Sequence, residues 1–178
     1  MEKTSLKKYI IYEIIFICVL ATIMHFAFDF FNQNVYIGAF VPVNESVWEH
    51  LKLPFFASII SYIVFNKKLT YNNLNLLGTF IAIIFQFIFI PFCFYLFKDV
   101  FSIESMVIDI LILYIAIIIS IILKYVIIKN NKELKRVDLI SRIAIFIMTI
   151  MFVIFTYVPP KMEIFKDKVS NIYGLNIY

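Results

Sequence analysis

The sequence predicts an all-α integral membrane bundle of five transmembrane helices, with the N-terminus inside and the C-terminus outside. Three observations predict it. The 178 residues are 63% hydrophobic, with mean hydropathy +0.94 and only three glycines, far from the composition of a soluble domain. Residues 9–31, 47–65, 75–97, 104–128 and 137–158 meet or approach the roughly 20 apolar residues that cross a hydrocarbon core. Of the 16 basic residues, eleven fall at one set of segment ends: Lys3, Lys7, Lys8, Lys67, Lys68, Lys124, Lys129, Lys132, Lys135, Arg136 and Arg142. The positive-inside bias makes that side cytoplasmic. The stretches are apolar on all sides, without the alternation of a membrane barrel. The net charge of +4 therefore reflects topology, and nucleic acid is not a partner.

The first segment follows Lys3, Lys7 and Lys8, but it exceeds a signal-peptide core and lacks a small-residue cleavage site, so it stays as an anchor. Glu13 near its inner end is expected to snorkel toward Lys8. His25 and Asp29, four residues apart, share one face at its outer end. Residues 32–44 form an outer loop that lies on the bilayer or dips back into protein. In the second segment the unbroken apolar run covers only Leu53 to Phe65, about 20 Å of helix, so the polar residues before it must supply the missing turns. Pro54 removes a helical hydrogen bond to the carbonyl of His50 and predicts a bend. Gln86 in the third segment is expected to bond to a neighbouring helix, and Pro91 to mark a bend. Asp109 lies one to two turns inside the fourth, at the depth of His25, and needs a partner there. The fifth ends at Pro159-Pro160. Residues 1–160 form the membrane domain, and 161–178 an amphipathic or disordered outer tail. Cys18 and Cys93 lack redox or metal spacing and are read as packing residues.

The chemistry concentrates in Pro42-Val43-Asn44-Glu45-Ser46-Val47-Trp48-Glu49-His50-Leu51-Lys52. Ser46-x-x-Glu49 fits a capping box, and Trp48 an interfacial anchor. Asn44, Ser46, Trp48 and Lys52 form the polar surround. His25, Asp29, His50 and Asp109 are the candidate metal ligands, and Glu45 and Glu49 the candidate catalytic bases. Imidazoles with carboxylates suit Zn²⁺, Fe²⁺ or Mn²⁺ better than Ca²⁺, and Lys52 is the one evident counter-charge nearby.

The run from Pro42 to Lys52, preceded by His25-x-x-x-Asp29, resembles the signature of a family of small multi-pass bacterial membrane proteins of unknown function, found mainly among clostridia and their relatives. That resemblance implies a membrane location and no activity. The His-x-x-x-Asp followed by a polar histidine motif is more loosely similar to small membrane-bound metal-dependent hydrolases, although their second motif is not present in its usual form. Three readings stand. In the first, a divalent transition metal such as zinc supports hydrolysis of a lipid or lipid-linked substrate at the outer leaflet of the plasma membrane. In the second, the same extracytoplasmic cluster serves a non-enzymatic metal or proton carrier, a sensor or a partner subunit. In the third, these side chains only cap and pack helices.

Overall fold

The computed structural model describes residues 3–66, 72–130 and 135–175. These residues form five long helices: α1 (Lys3–Phe30), α3 (Val47–Asn66), α4 (Asn72–Tyr95), α5 (Met106–Asn130) and α6 (Lys135–Tyr157). A single turn, α2 (Val35–Gly38), bridges α1 and α3, and no β-strand occurs among the described residues. Four stretches are each long and apolar enough to cross a membrane: Lys7–Phe30 in α1, Asn75–Val100 in α4 and the π-helical turn Leu96–Val100 that continues it, Met106–Lys129 in α5 and Asp138–Tyr157 in α6. Their outward faces carry exposed Ile11, Ile15, Val19, Ile88, Ile122 and Phe146. Such a continuous apolar exterior is tolerated where lipid replaces water.

The remaining long helix, α3, sits at the centre. Its 20 residues span about 30 Å. Glu49, His50, Lys52 and Pro54 interrupt its first two turns, so it lacks the long unbroken apolar stretch of the other four. Every residue from Leu51 to Ser58 is buried, because α1, α4 and α6 all pack against it. Enclosed over those eight residues, the helix has no polar face to present there, so ionised groups at that level must find partners inside.

Two buried ion pairs meet that demand at opposite ends of the bundle. Lys52 Nζ of α3 donates to Glu49 Oε2 at 2.6 Å, with the lysine fully buried and the glutamate 2% exposed. At the other end, Lys124 of α5 donates to Glu13 Oε1 of α1 at 2.6 Å, and Ser61 Oγ of α3 to the same oxygen at 2.9 Å. This corrects the expected snorkelling of Glu13, and Lys124 is likewise an interior residue rather than part of a solvated basic end. Gly78 of α4 permits the close packing of α5 there: a Cβ at that position would lie 2.9 Å from Lys124 Cγ. Between the two pairs, Gln86 Nε2 donates to Ser120 Oγ at 2.8 Å, joining α4 to α5 as expected for a polar residue in mid-span.

The connections explain how the motif is delivered to the core. Asn32 and Gln33 adopt left-handed backbone (φ 52° and 56°) and end α1, with the Gln33 N–H returning to the Phe28 carbonyl at 2.9 Å. Asn34 then caps α2 by accepting from the Tyr36 N–H. The chain turns inward, burying Ala39, Val41 and Pro42, and the Gly38 and Val41 carbonyls accept from Lys52 Nζ at 2.8 and 3.2 Å. Within residues 32–44, the stretch 38–42 takes the inward course apart from exposed Phe40, while 32–36 stay exposed. Buried backbone oxygens are satisfied there by a buried cation.

The end of the chain also folds back. Phe165 is buried, Lys166 bridges to Tyr173, and the Leu175 N–H donates to the Thr156 carbonyl at 2.9 Å. Through these contacts the tail is held against the bundle at Phe165 and Leu175. Residues 67, 68 and 132, assigned to the basic face, lie outside the described residues.

Candidate functional site

The start of α3 is held by side chains of the motif itself. Asn44 Oδ1 accepts from the Ser46 N–H at 2.9 Å, and Ser46 Oγ from the Glu49 N–H at 3.3 Å. The serine half of the capping box therefore forms. The glutamate half does not: Glu49 accepts from Lys52, from the Val43 N–H at 3.0 Å and from Thr156 Oγ1 at 3.3 Å. With both oxygens occupied, Glu49 does not face the cavity described below, and it ties α3 to α6 and to the preceding loop. Its paired Lys52 is likewise internal and supplies no counter-charge to the histidines. Trp48 is not an interfacial anchor. Its ring packs 4.7 Å from that of Phe165 and 4.8 Å from that of Phe152, with Phe155 and Phe87 around it.

His25 of α1, Glu45 of the loop and His50 of α3 come together. Their ligand atoms lie within 4.8 Å of one another, and the two imidazole centroids are 5.2 Å apart. The hydrogen bonds of His50 define its protonation. Nδ1 lies 3.0 Å from the Ser46 carbonyl oxygen, which can only accept, so the proton is on Nδ1. In a neutral ring the Nε2 lone pair then points at Glu45 Oε2, 3.3 Å away. Two acceptors at that distance repel unless a proton or a metal cation lies between them. His25 Nδ1 is buried and meets no hydrogen-bond partner among the described residues.

These three residues border a cavity of about 390 Å³ between α1, α3, α4 and α5. Its walls are mostly apolar, including Ala21, Phe26, Leu53, Ile90, Ile110 and Leu113. Thr22 and Tyr114 share a hydrogen bond at 2.7 Å across α1 and α5 along the same wall. Asp109 also borders the cavity, but its charge is met by Lys168 of the tail at 2.8 Å. Lys168 also lies 3.8 Å above the Phe94 ring. Asp29 takes no part in this group. One helical turn, about 5 Å, carries it past His25 to the exposed end of α1, where Gln33 Nε2 donates to it at 3.3 Å.

Residues 1–175 match the model of a family of unknown function, DUF6512. The chain belongs to this family. No curated protein and no solved structure matches it. The match runs through all five long helices and the folded tail, so membership extends well beyond the polar motif.

Sequence reasoning missed the tail's part in the site, since nothing local in residues 161–175 points to Glu45 some 120 positions earlier. Asp167 is the clasp. It accepts from the Glu45 N–H at 3.0 Å, from the Ser170 N–H at 3.0 Å, from the Val169 N–H at 3.3 Å and from the Ser170 hydroxyl. Asn44 Nδ2 adds a bond to the Gly174 carbonyl at 3.0 Å. Partial burial acts to raise the Asp167 pKa, but the donors from Ser170, Val169 and Glu45 outweigh it and hold the carboxyl below the usual carboxylate range. A depressed native pKa means that the clasp's contribution is complete above the unfolded value, about 3.9, and is lost as pH falls through the native one. Trp48, the single tryptophan, packs on Phe165 and reports docking of the tail. Its emission should change below about pH 4, and Asp167→Asn should show that change already at neutral pH. Identical titrations in both proteins would show that Asp167 does not fasten the tail.

Proposed function

We propose that the chain is a five-span protein of the plasma membrane that binds a divalent transition metal through His25, Glu45 and His50 and uses it to hydrolyse a lipid or lipid-linked substrate. In this reading α3 is the fifth span, the N-terminus is cytoplasmic, and the polar cluster lies on the extracytoplasmic side. The positive-inside count supports this orientation.

The observation that carries the proposal is the convergence of two imidazoles and a carboxylate on one wall of an apolar cavity. Bonds of about 2.0–2.1 Å in a tetrahedral site put neighbouring ligand atoms about 3.3–3.4 Å apart. The 3.3 Å from His50 Nε2 to Glu45 Oε2 matches such an edge. The bond from His50 Nδ1 to a backbone carbonyl is the usual second contact of a metal-ligating histidine. Three protein ligands leave one position for water, whose pKa a zinc-type ion lowers toward 7.

A metal held by His25, Glu45 and His50 would supply a Lewis acid and a water of lowered pKa for hydrolysis of an ester or phosphoester. Glu45 would hold it through one oxygen, and its second oxygen would take the proton of the attacking water and pass it to the leaving oxygen as that bond breaks. Glu49, proposed from the sequence as an alternative base, is fully engaged by Lys52, Val43 and Thr156 and is not assigned this step.

A carrier reading has one observation in its favour. A proton shared by His50 and Glu45 would satisfy the 3.3 Å contact as well as a metal does. Turnover separates the two. The purified protein, supplied with phospholipid in mixed micelles, should release a hydrolysis product, lose that activity to a chelator and regain it with Zn²⁺ or Mn²⁺. Activity indifferent to chelation would rule out the metal-dependent reaction.

A further inference from the structure

Beside the apolar cavity, and sharing Val47, Phe94, Glu104 and Lys168 with it, lies a second cleft of about 200 Å³ between the turn after α4 and the tail. Its character is opposite, since Lys98, Glu104, Glu163, Lys166, Asp167 and Lys168 all border it. Most of these charges are already matched. Asp167 is saturated by its four donors. Lys168 is held by Asp109, and Lys98 lies 3.8 Å from Glu163. Lys166 and Glu104 form no ion pair with any described residue, leaving the cleft with one unmatched cation and one unmatched anion.

The two spaces together have the form of an amphiphile. The larger is lined by hydrocarbon, and its rim includes Phe26, Met106 and Ile110. These are 63%, 70% and 42% exposed on helices apolar enough to span a membrane, so in the five-span reading this rim faces the bilayer. The smaller is polar and opens at the end of the bundle. The cluster of His25, Glu45 and His50 lies along the cavity that adjoins it.

We infer that this pair of spaces binds a glycerophospholipid with a zwitterionic headgroup, its acyl chain lying in the apolar cavity, its phosphate at Lys166 and its primary amine at Glu104. The inference rests on reading the cavity as the substrate chamber, and it names the substrate class. A phosphate meets Lys166 through charge-assisted hydrogen bonds, and an ammonium with three N–H donors does the same at a carboxylate. A quaternary amine lacks those donors, and a glycerol headgroup lacks the positive charge.

The test is equilibrium binding to the full chain in neutral detergent with a chelator present, so that metal plays no part. The probes are phosphatidylethanolamine, phosphatidylglycerol, phosphatidylcholine and diacylglycerol with identical acyl chains, and free phosphoethanolamine. Phosphatidylethanolamine should bind at least about tenfold more tightly than each of the others. Lys166→Gln and Glu104→Gln, both outside helices, should each remove about tenfold of that affinity. Equal binding of the ethanolamine and glycerol lipids by the wild type would overturn the headgroup assignment without recourse to any variant. Free phosphoethanolamine binding as tightly as the lipid would overturn the acyl-chain assignment. A protein that selects phosphatidylethanolamine but has neither metal nor turnover loses the hydrolase reading and keeps this one. Metal-dependent turnover with no headgroup preference does the reverse.

Discussion

Lys52→Met is expected to destabilise the folded protein by about 3–5 kcal/mol, the usual cost of removing one member of a buried ion pair. The reason is geometric. The ammonium serves Glu49 Oε2 and the carbonyls of Gly38 and Val41 at once, with no part of it exposed. Its loss leaves an anion in an apolar interior and frees the loop that carries Glu45. Glu49→Gln alone should be damaging for the mirror reason, because the lysine then keeps its charge but not its counter-ion. The double variant Glu49→Gln, Lys52→Met should recover a large part of the loss, since neither charge remains to be compensated. Thermal or denaturant unfolding in detergent micelles gives these values. Additive effects of the two single changes would show that the pair is not coupled, and the motif's second half would then lack the structural role assigned to it.

His50→Ala is expected to lower metal affinity by at least about a hundredfold, since altering even an outer-shell contact of a metal site costs 10–100-fold. Turnover should fall with it. His25→Ala should behave alike, because its imidazole is the second nitrogen ligand proposed for the same centre. Asp29→Asn should leave both properties unchanged, as that carboxylate sits on the exposed end of α1. The contrast between His25 and Asp29, one turn apart on one helix, separates a metal centre from a general loss of negative charge. Equal losses in the two variants would favour electrostatics or misfolding over coordination. Unfolding midpoints close to the wild type in all three are the control.

The helices were legible because hydrophobicity alone specifies them. The apolar runs at 9–31, 75–97 and 104–128 reappear within a few residues as α1, α4 and α5, and the polar start at residue 47 coincides with the start of α3. The convergence of His25 with His50 was foreseeable from shared depth. The roles within the motif were less so. Glu49 and Lys52 stand three residues apart, a spacing that permits a pair on one helix face, yet only tertiary packing reveals that this face is sealed. Glu13 and Lys124 are 111 positions apart, and Asp109 and Lys168 are 59 apart, so no local pattern announces either pair. The same holds for the tail, whose few apolar residues read as an interfacial strip until Phe165 is found against Trp48. A short polar segment docks through specific partners, and those leave no periodicity behind.

Whether His25, Glu45 and His50 jointly hold one metal ion is decided by elemental analysis with X-ray absorption on protein purified without chelators. Close to one zinc, iron or manganese ion per chain is expected, with two imidazole nitrogens and at least one oxygen at about 2.0–2.2 Å. That signal should be absent from His25→Ala, His50→Ala. A folded wild type that takes up no transition metal, even when the metal is supplied in excess, would contradict this assignment.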